Sequence, residues 1–163
     1  NQAVKYMLKT RKHAKDIIVI LDNIRSAYNV GAILRTADGA GVKKVYICGI
    51  SPTAQHPKVT KTALGAEGFV ESKYFSTTKE AIESAKAEGY LVCAVEQSKD
   101  SVSVEEVKDE GRLCLIFGNE ITGVELPTLE ICNKILEIPM FGQKNSLNVA
   151  TTAGIVLYYL VLD

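Results

Sequence analysis

Apolar positions along the chain follow two rhythms. Short β-branched runs alternate with longer stretches whose apolar residues recur at three- and four-residue spacing, the signatures of strands and amphipathic helices. Ile17 to Leu21, bounded by Asp16 and Asp22, reads as a strand. Asn29 is placed to cap a helix from Val30 to about Ala40, with Ile33, Leu34 and Ala37 on one face and Gly39 and Gly41 closing it. Lys44 to Ile47 reads as a second strand. Ile50 to Val59, which carries Pro52 and Pro57, reads as a loop. Phe69 to Phe75 alternates as a third strand, and Thr77 to Glu88 is a helix stopped by Gly89. Tyr90 to Val95 is the fourth strand. The acidic stretch from Glu96 to Gly111 has room for one helical turn. Leu113 to Phe117 is the fifth strand, Leu126 to Ile131 a short helix introduced by Pro127, and Ile135 to Ile138 the sixth strand. Leu147 to Leu162 is the final helix.

Strands that alternate with helices imply a three-layer α/β/α fold around a mostly parallel sheet. Ligands of such sheets bind beyond the carboxyl ends of the strands. The polar clusters fall there: after Leu21, after Phe117 and after Ile138. The final helix is apolar nearly all round from Ile155 to Leu162, so either both sides pack within the monomer or, the favoured reading, one packs on a second subunit as a homodimer. The domain reading is a basic N-terminal segment, residues 1–15, followed by a single domain, residues 16–163.

Charge adds a partner class. The net charge is zero. Yet Asn1 to Ala66 holds eleven Lys or Arg against three acids, and the remainder is correspondingly acidic. Such polarity suits a polyanion on the N-terminal part, unless folding mixes the charges in space. No apolar run approaches the length of a membrane span, and the polar, basic start does not resemble a secretory signal. Cys48, Cys93, Cys114 and Cys132 form no C-x-x-C pair, and no His lies at metal-ligand spacing. They read as small buried thiols of a reducing compartment, hence a cytoplasmic protein with no metal site.

Three polar clusters carry the candidate chemistry. The first runs from Asp22 through Arg25 and Asn29 to Gly31 and on to Arg35-Thr36-Ala37. An Arg35 buried among Ile33, Leu34 and Ala37 would need a carboxylate or phosphate partner. The second is Leu115 to Gly123, where Gly118 lets backbone approach a ligand and Glu120 is a partner for Arg35 or a cationic ligand. The third is Ile138 to Ala150. There Ser146 or Asn148 either caps the final helix or grips an adenosine or ribose.

In this order the clusters resemble the three motifs of the SpoU/TrmH family of the SPOUT methyltransferases. The first resembles Asn-x-Gly-x-x-x-Arg-Thr-Ala, here Asn29, Gly31, Arg35, Thr36 and Ala37. The second resembles Phe-Gly-x-Glu-x-x-Gly, here Phe117, Gly118, Glu120 and Gly123. The third resembles Ile-Pro-Met followed by Ser-Leu-Asn-Val, here Ile138, Pro139, Met140, Ser146, Leu147, Asn148 and Val149. Thr62 to Ala66 resembles a further family segment. The likeness covers about Asp16 to Leu162 and departs at Ala150, where many members carry Ser.

The resemblance implies a C-terminal deep trefoil knot, which sequence physics alone would not offer because knots are so rare. It implies a homodimer whose active site is completed across the interface. It also implies transfer of a methyl group from S-adenosylmethionine to a ribose 2′-hydroxyl of transfer or ribosomal RNA, with neither DNA nor membrane as partner. Arg35 is then the catalytic arginine, oriented by Glu120, with Asn29 positioning Arg35 or an RNA phosphate. Ser146 and Asn148 shape the site near the donor methyl. Val95, Gly118, Ile138, Met140, Ser146 and Leu147 contact the cofactor. Lys9, Arg11, Lys12, Lys15 and Arg25 bind the RNA backbone. Competing readings are a base-methylating enzyme of the same class, a non-catalytic RNA-binding relative, and a dinucleotide enzyme. For the last, Gly39-Ala40-Gly41 follows a helix instead of opening one.

Overall fold

The computed structural model describes residues 11–163. Seven strands form one sheet: β1 (Asp16–Asp22), β2 (Lys44–Cys48), β3 (Glu71–Phe75), β4 (Leu91–Val95), β5 (Val102–Ser103), β6 (Arg112–Gly118) and β7 (Lys134–Glu137). Their order across the sheet is β3-β2-β1-β6-β4-β7-β5, and every pairing is parallel. The helices are α1 (Ala27–Gly39), α2 (Pro57–Ala63), α3 (Thr78–Ala87), α4 (Leu126–Glu130) and α5 (Val149–Val161).

The β-branched runs became the central strands because both faces of β1 and β6 are covered. Ile17 to Leu21 and Leu113 to Phe117 are buried without a break. A parallel sheet clothed by helices demands such continuous apolar runs. Alternate residues divide between two cores. Ile17, Val19 and Leu21 pack with Ile33, Leu34, Val156, Leu157 and Leu160 on the α1/α5 side. Ile18 and Ile20 pack with Ala81, Ile82 and Ala85 of α3 on the other.

Several sequence expectations shift. The stretch read as a loop from Ile50 to Val59 contains the start of α2: Pro57 fills the first helical turn, where a missing N–H costs nothing, and His56 accepts from the Lys58 amide. The third strand begins at Glu71, because Ala66–Gly68 forms a 3-10 turn. The acidic stretch holds β5 and a 3-10 turn over Val104–Val107. Asn29 does not cap α1. Ser26 does, accepting from the Asn29 amide at 3.2 Å, so the helix starts earlier and Asn29 lies inside its first turn. The final helix begins at Val149, capped by Asn148, which leaves Leu147 in the preceding loop.

All four cysteines are free, three of them buried. Burial pushes the Cys48 and Cys93 thiols up to about 12 and Cys132 up to about 11. These are inert packing groups. No helix among the described residues is long and apolar enough to cross a membrane.

The closest packing joins α1 to α2. A methyl group at Gly31 would lie 1.8 Å from the Thr62 hydroxyl and 2.3 Å from the Val59 carbonyl. The second neighbour is backbone and cannot swing aside. Gly31→Ala is therefore expected to destabilise the fold by about 1–3 kcal/mol, measured as a lowered urea midpoint with an unchanged slope.

Candidate active site

Because all strands run in one direction, their carboxyl ends open on one edge. Register aligns Asp22 with Gly118, and Val95 with both Phe117 and Leu136. Beyond the ends of β6, β4 and β7 lies a cavity of about 670 Å³. Val95, Gly118, Ile138, Met140, Ser146 and Leu147, the residues expected at a cofactor, all line it, as do Glu120 and Asn148.

The loop after β6 is the most constrained part of the wall. It folds back on itself, the Gly123 amide donating to the Asn119 carbonyl at 2.9 Å. The Asn119 side-chain oxygen accepts from the amides of Ile121 and Thr122, and its Nδ2 donates to the Asn23 carbonyl at 2.8 Å. Gly118 leaves no room for a side chain: a Cβ there would sit 2.5 Å from the Gly123 carbonyl carbon. Gly123 has φ +65°, a left-handed conformation suited to glycine. Glu96, at the end of β4, accepts from the Val124 amide at 2.9 Å and fastens the loop from the other side. Sequence reasoning passed over Glu96, although it directly follows a strand end on the ligand edge.

One carboxylate ties the three motif segments together. Glu120 accepts from the Arg25 and Ser26 amides, each at 2.9 Å, and from Asn29 Nδ2 at 3.0 Å. Asn29 is only 6% exposed, and its Oδ1 accepts from Asn148 Nδ2 at 3.4 Å. Asn148 also caps α5 through its oxygen, which accepts from the Ala150 and Thr151 amides. Capping and site-building are thus one arrangement, with the amide oxygen serving the helix and the amide nitrogen serving the site. Desolvation pushes the Glu120 carboxyl up, but the hydrogen bonds from Arg25, Asn29 and Ser26 outweigh it and hold it below the ordinary carboxylate value.

The pairing of Glu120 with Arg35 does not occur. Arg35 points from an exposed position of α1 and forms no ion pair with a described residue, so the need for a buried partner disappears. Neither Arg35 nor Asn29 lines the cavity. Among the cations expected to bind RNA, Arg25 lies in the loop held by Glu120. Lys15 is committed elsewhere: its ammonium donates to the carbonyls of Lys108 and Glu110 at 2.5 and 2.6 Å. Arg11, Lys12 and Lys15 all precede β1, at the sheet edge opposite the cavity and separated from it by the length of that strand, about 20 Å. Lys9 lies outside the described residues.

Asp22, also at a strand end, serves the fold. It is buried and accepts from the Thr78 hydroxyl at 2.6 Å, fixing the start of α3. Desolvation raises its carboxyl above the usual value.

The model of the SpoU rRNA Methylase family matches residues 16–158. A tRNA (guanosine(18)-2′-O)-methyltransferase of Aquifex aeolicus is 33% identical over 148 residues, covering 90% of this chain and 69% of that protein. A 23S rRNA (guanosine-2′-O-)-methyltransferase of Vibrio vulnificus is 32% identical over 150 residues, covering 92% of this chain and 60% of that protein. Among solved structures, an AdoMet-bound rRNA methyltransferase from Sinorhizobium meliloti superposes with a TM-score of 0.83 at 26% identity. That alignment covers 91% of this chain and 57% of that one. The chain therefore spans 57% to 69% of the length of these three proteins.

A carboxylate held below its ordinary pKa contributes stability above the ordinary value, and that contribution is lost as pH falls through the lowered one. Glu120→Gln is expected to lower stability at neutral pH and to flatten the acid limb of the stability profile. Urea midpoints taken from about pH 7 to about pH 3 measure both. An acid limb as steep as that of the wild type would show that Glu120 contributes nothing to it.

Proposed function

Since the chain belongs to the SpoU rRNA methylase family, we propose that its cavity holds S-adenosylmethionine and that the protein transfers the methyl group to a ribose 2′-hydroxyl of transfer or ribosomal RNA. The observation that carries this reading is the convergence of the motif segments on one cavity at the strand ends. Its volume suits a nucleoside-sized ligand. Its walls suit this one. Val95, Ile138 and Leu147 offer an apolar slot for an adenine, while Glu96, Glu120 and Glu137 line the cavity without a cationic side chain among its lining residues. Such a set suits a ligand that carries both a sulfonium and an ammonium. The RNA-modifying relatives support the substrate class.

The cofactor supplies an activated methyl group, so the protein must act on the nucleophile. A ribose hydroxyl is weakly nucleophilic at neutral pH and gains from alignment and from stabilisation of its developing negative charge. Arg35 supplies that stabilisation. A guanidinium is a charged donor with no free lone pair to take a proton, so electrostatic support of the oxygen is physically easier than simple proton abstraction. Asn29, clamped by Glu120 and Asn148, holds the start of α1 and thereby the helix that carries Arg35.

Arg35 lies outside the cavity of its own chain, which favours a site completed by a second copy. Ile155 and Tyr158 of α5, and Leu162 just beyond its end, are 44%, 40% and 55% exposed, a row of large apolar groups at the surface. α5 packs on α1 with Gly154 against Thr36 and Tyr158 against Gly39, so the row lies beside Arg35. A homodimer along this row brings Arg35 toward the partner's cavity. The C-terminal knot belongs to the same proposal, supported by a cavity walled by the two loops Gly118–Gly123 and Ile138–Asn148. A cytoplasmic location fits the four free thiols. Arg25 contributes the nearest RNA contact, and Arg11 and Lys12 reach a more distant part of a large RNA.

Calorimetric titration with S-adenosylmethionine, with NAD as control, tests the cofactor: selective micromolar binding is expected, and failure of the folded protein to bind would overturn the proposal. Arg35→Ala should lower methyl transfer by at least a hundredfold, about 3 kcal/mol, while cofactor affinity is kept. Equal losses of both would remove the catalytic role. Ile155→Glu should convert dimer to monomer in sedimentation and abolish transfer; an active monomer would contradict the shared site.

A further inference from the structure

Helical geometry puts residues seven positions apart on one face. On α1 this groups Tyr28, Ala32 and Arg35 into a stripe that is turned by about 100° from Asn29. Asn29 faces Glu120 and Asn148 at the edge of the cavity. Tyr28, one residue earlier, is 68% exposed despite being a large aromatic group. Its backbone is nevertheless fixed. The Tyr28 carbonyl accepts from the Thr62 hydroxyl at 3.0 Å, and the turn around it is capped by Ser26 and held by Glu120. A rigid mount thus carries a ring that the other described residues leave largely uncovered.

Cations outnumber acids around the ring, the Glu120 carboxylate being engaged by Arg25, Ser26 and Asn29. Arg25 precedes Tyr28, Arg35 follows on the same stripe, and Lys58 and Lys61 are exposed on α2, which packs against α1. Asp38 is the only acid between Ala27 and Leu64. Ala32, between Tyr28 and Arg35, is too small to fill the gap of about 10 Å along the helix axis. An aromatic face among cations, beside a polar site, suits an unstacked nucleobase with its phosphates.

We propose that Tyr28 is the stacking platform for a base of the substrate RNA next to the methylated ribose, with Arg35 on the same stripe reaching that methylated ribose. The inference rests on the RNA ribose methylation proposed above and adds a residue that governs substrate binding. The charge around the ring favours RNA as its occupant over a second copy of the chain.

The chain contains no Trp, so Tyr28→Trp installs a single fluorescent reporter at this position. Its emission should be quenched by unfractionated tRNA and by an oligoadenylate, but not by an abasic oligonucleotide of equal length and charge. Alongside, Tyr28→Ala should raise the KM for RNA about tenfold without changing cofactor affinity, and Tyr28→Phe should restore the wild-type value. Absence of quenching, or an unchanged KM in Tyr28→Ala, would overturn the platform. So would emission that is shielded without RNA and becomes exposed only when the protein is diluted to monomer, since a second copy would then cover the ring. The fluorescence arm does not require methyl transfer. Quenching in a protein with no transferase activity would uphold stacking and sink only the functional reading.

Discussion

The site depends on one carboxylate. Glu120 follows β6, yet it receives the amides of the loop after β1 and the side chain of Asn29, which in turn meets Asn148 at the head of α5. Segments separated by about ninety residues of chain are thereby fixed to one another at the mouth of the cavity. Backbone amides that would otherwise need water are satisfied by a charged acceptor, which makes these bonds stronger than neutral ones. The arrangement holds the start of α1, and α1 carries Asn29 toward the cavity and Tyr28 and Arg35 around the side.

The parallel sheet sets where that carboxylate can act. With every strand in the same sense, β1, β6, β4 and β7 end on a common edge, and the loops that leave them lie outside the sheet. Gly118 and Gly123 then let the loop after β6 close on itself at distances no side chain would allow. Glu96 and Asn119 pin it from two sides. The result is a wall stiff enough to shape a pocket without a helix or strand of its own.

Much of this was legible in the amino-acid order, for reasons that differ by element. The central strands show because burial on both faces forces unbroken runs such as Ile17 to Leu21. The cavity-lining residues show because they follow strand ends within motif-like segments. Less visible features have local causes. The helix at Pro57 hid behind a residue that reads equally as loop or helix start. Ser26 and Asn29 are both competent caps, and only the neighbouring Glu120, distant in sequence, decides between them. Lys15 looked like a cation for RNA because nothing in the sequence shows that the carbonyls of Lys108 and Glu110 lie within reach. Arg35 looked like the partner of Glu120 because the motifs name both, whereas their placement on the chain puts one at the cavity and the other on an outer stripe.

The most direct test of the account is the position of the transferred group. The protein is incubated with methyl-tritiated S-adenosylmethionine and, separately, unfractionated tRNA and ribosomal RNA, and the RNA is digested to nucleosides. The account predicts label in a 2′-O-methylated nucleoside from one of the two RNA pools. Label on a base, or none from a protein that binds the cofactor, would contradict it.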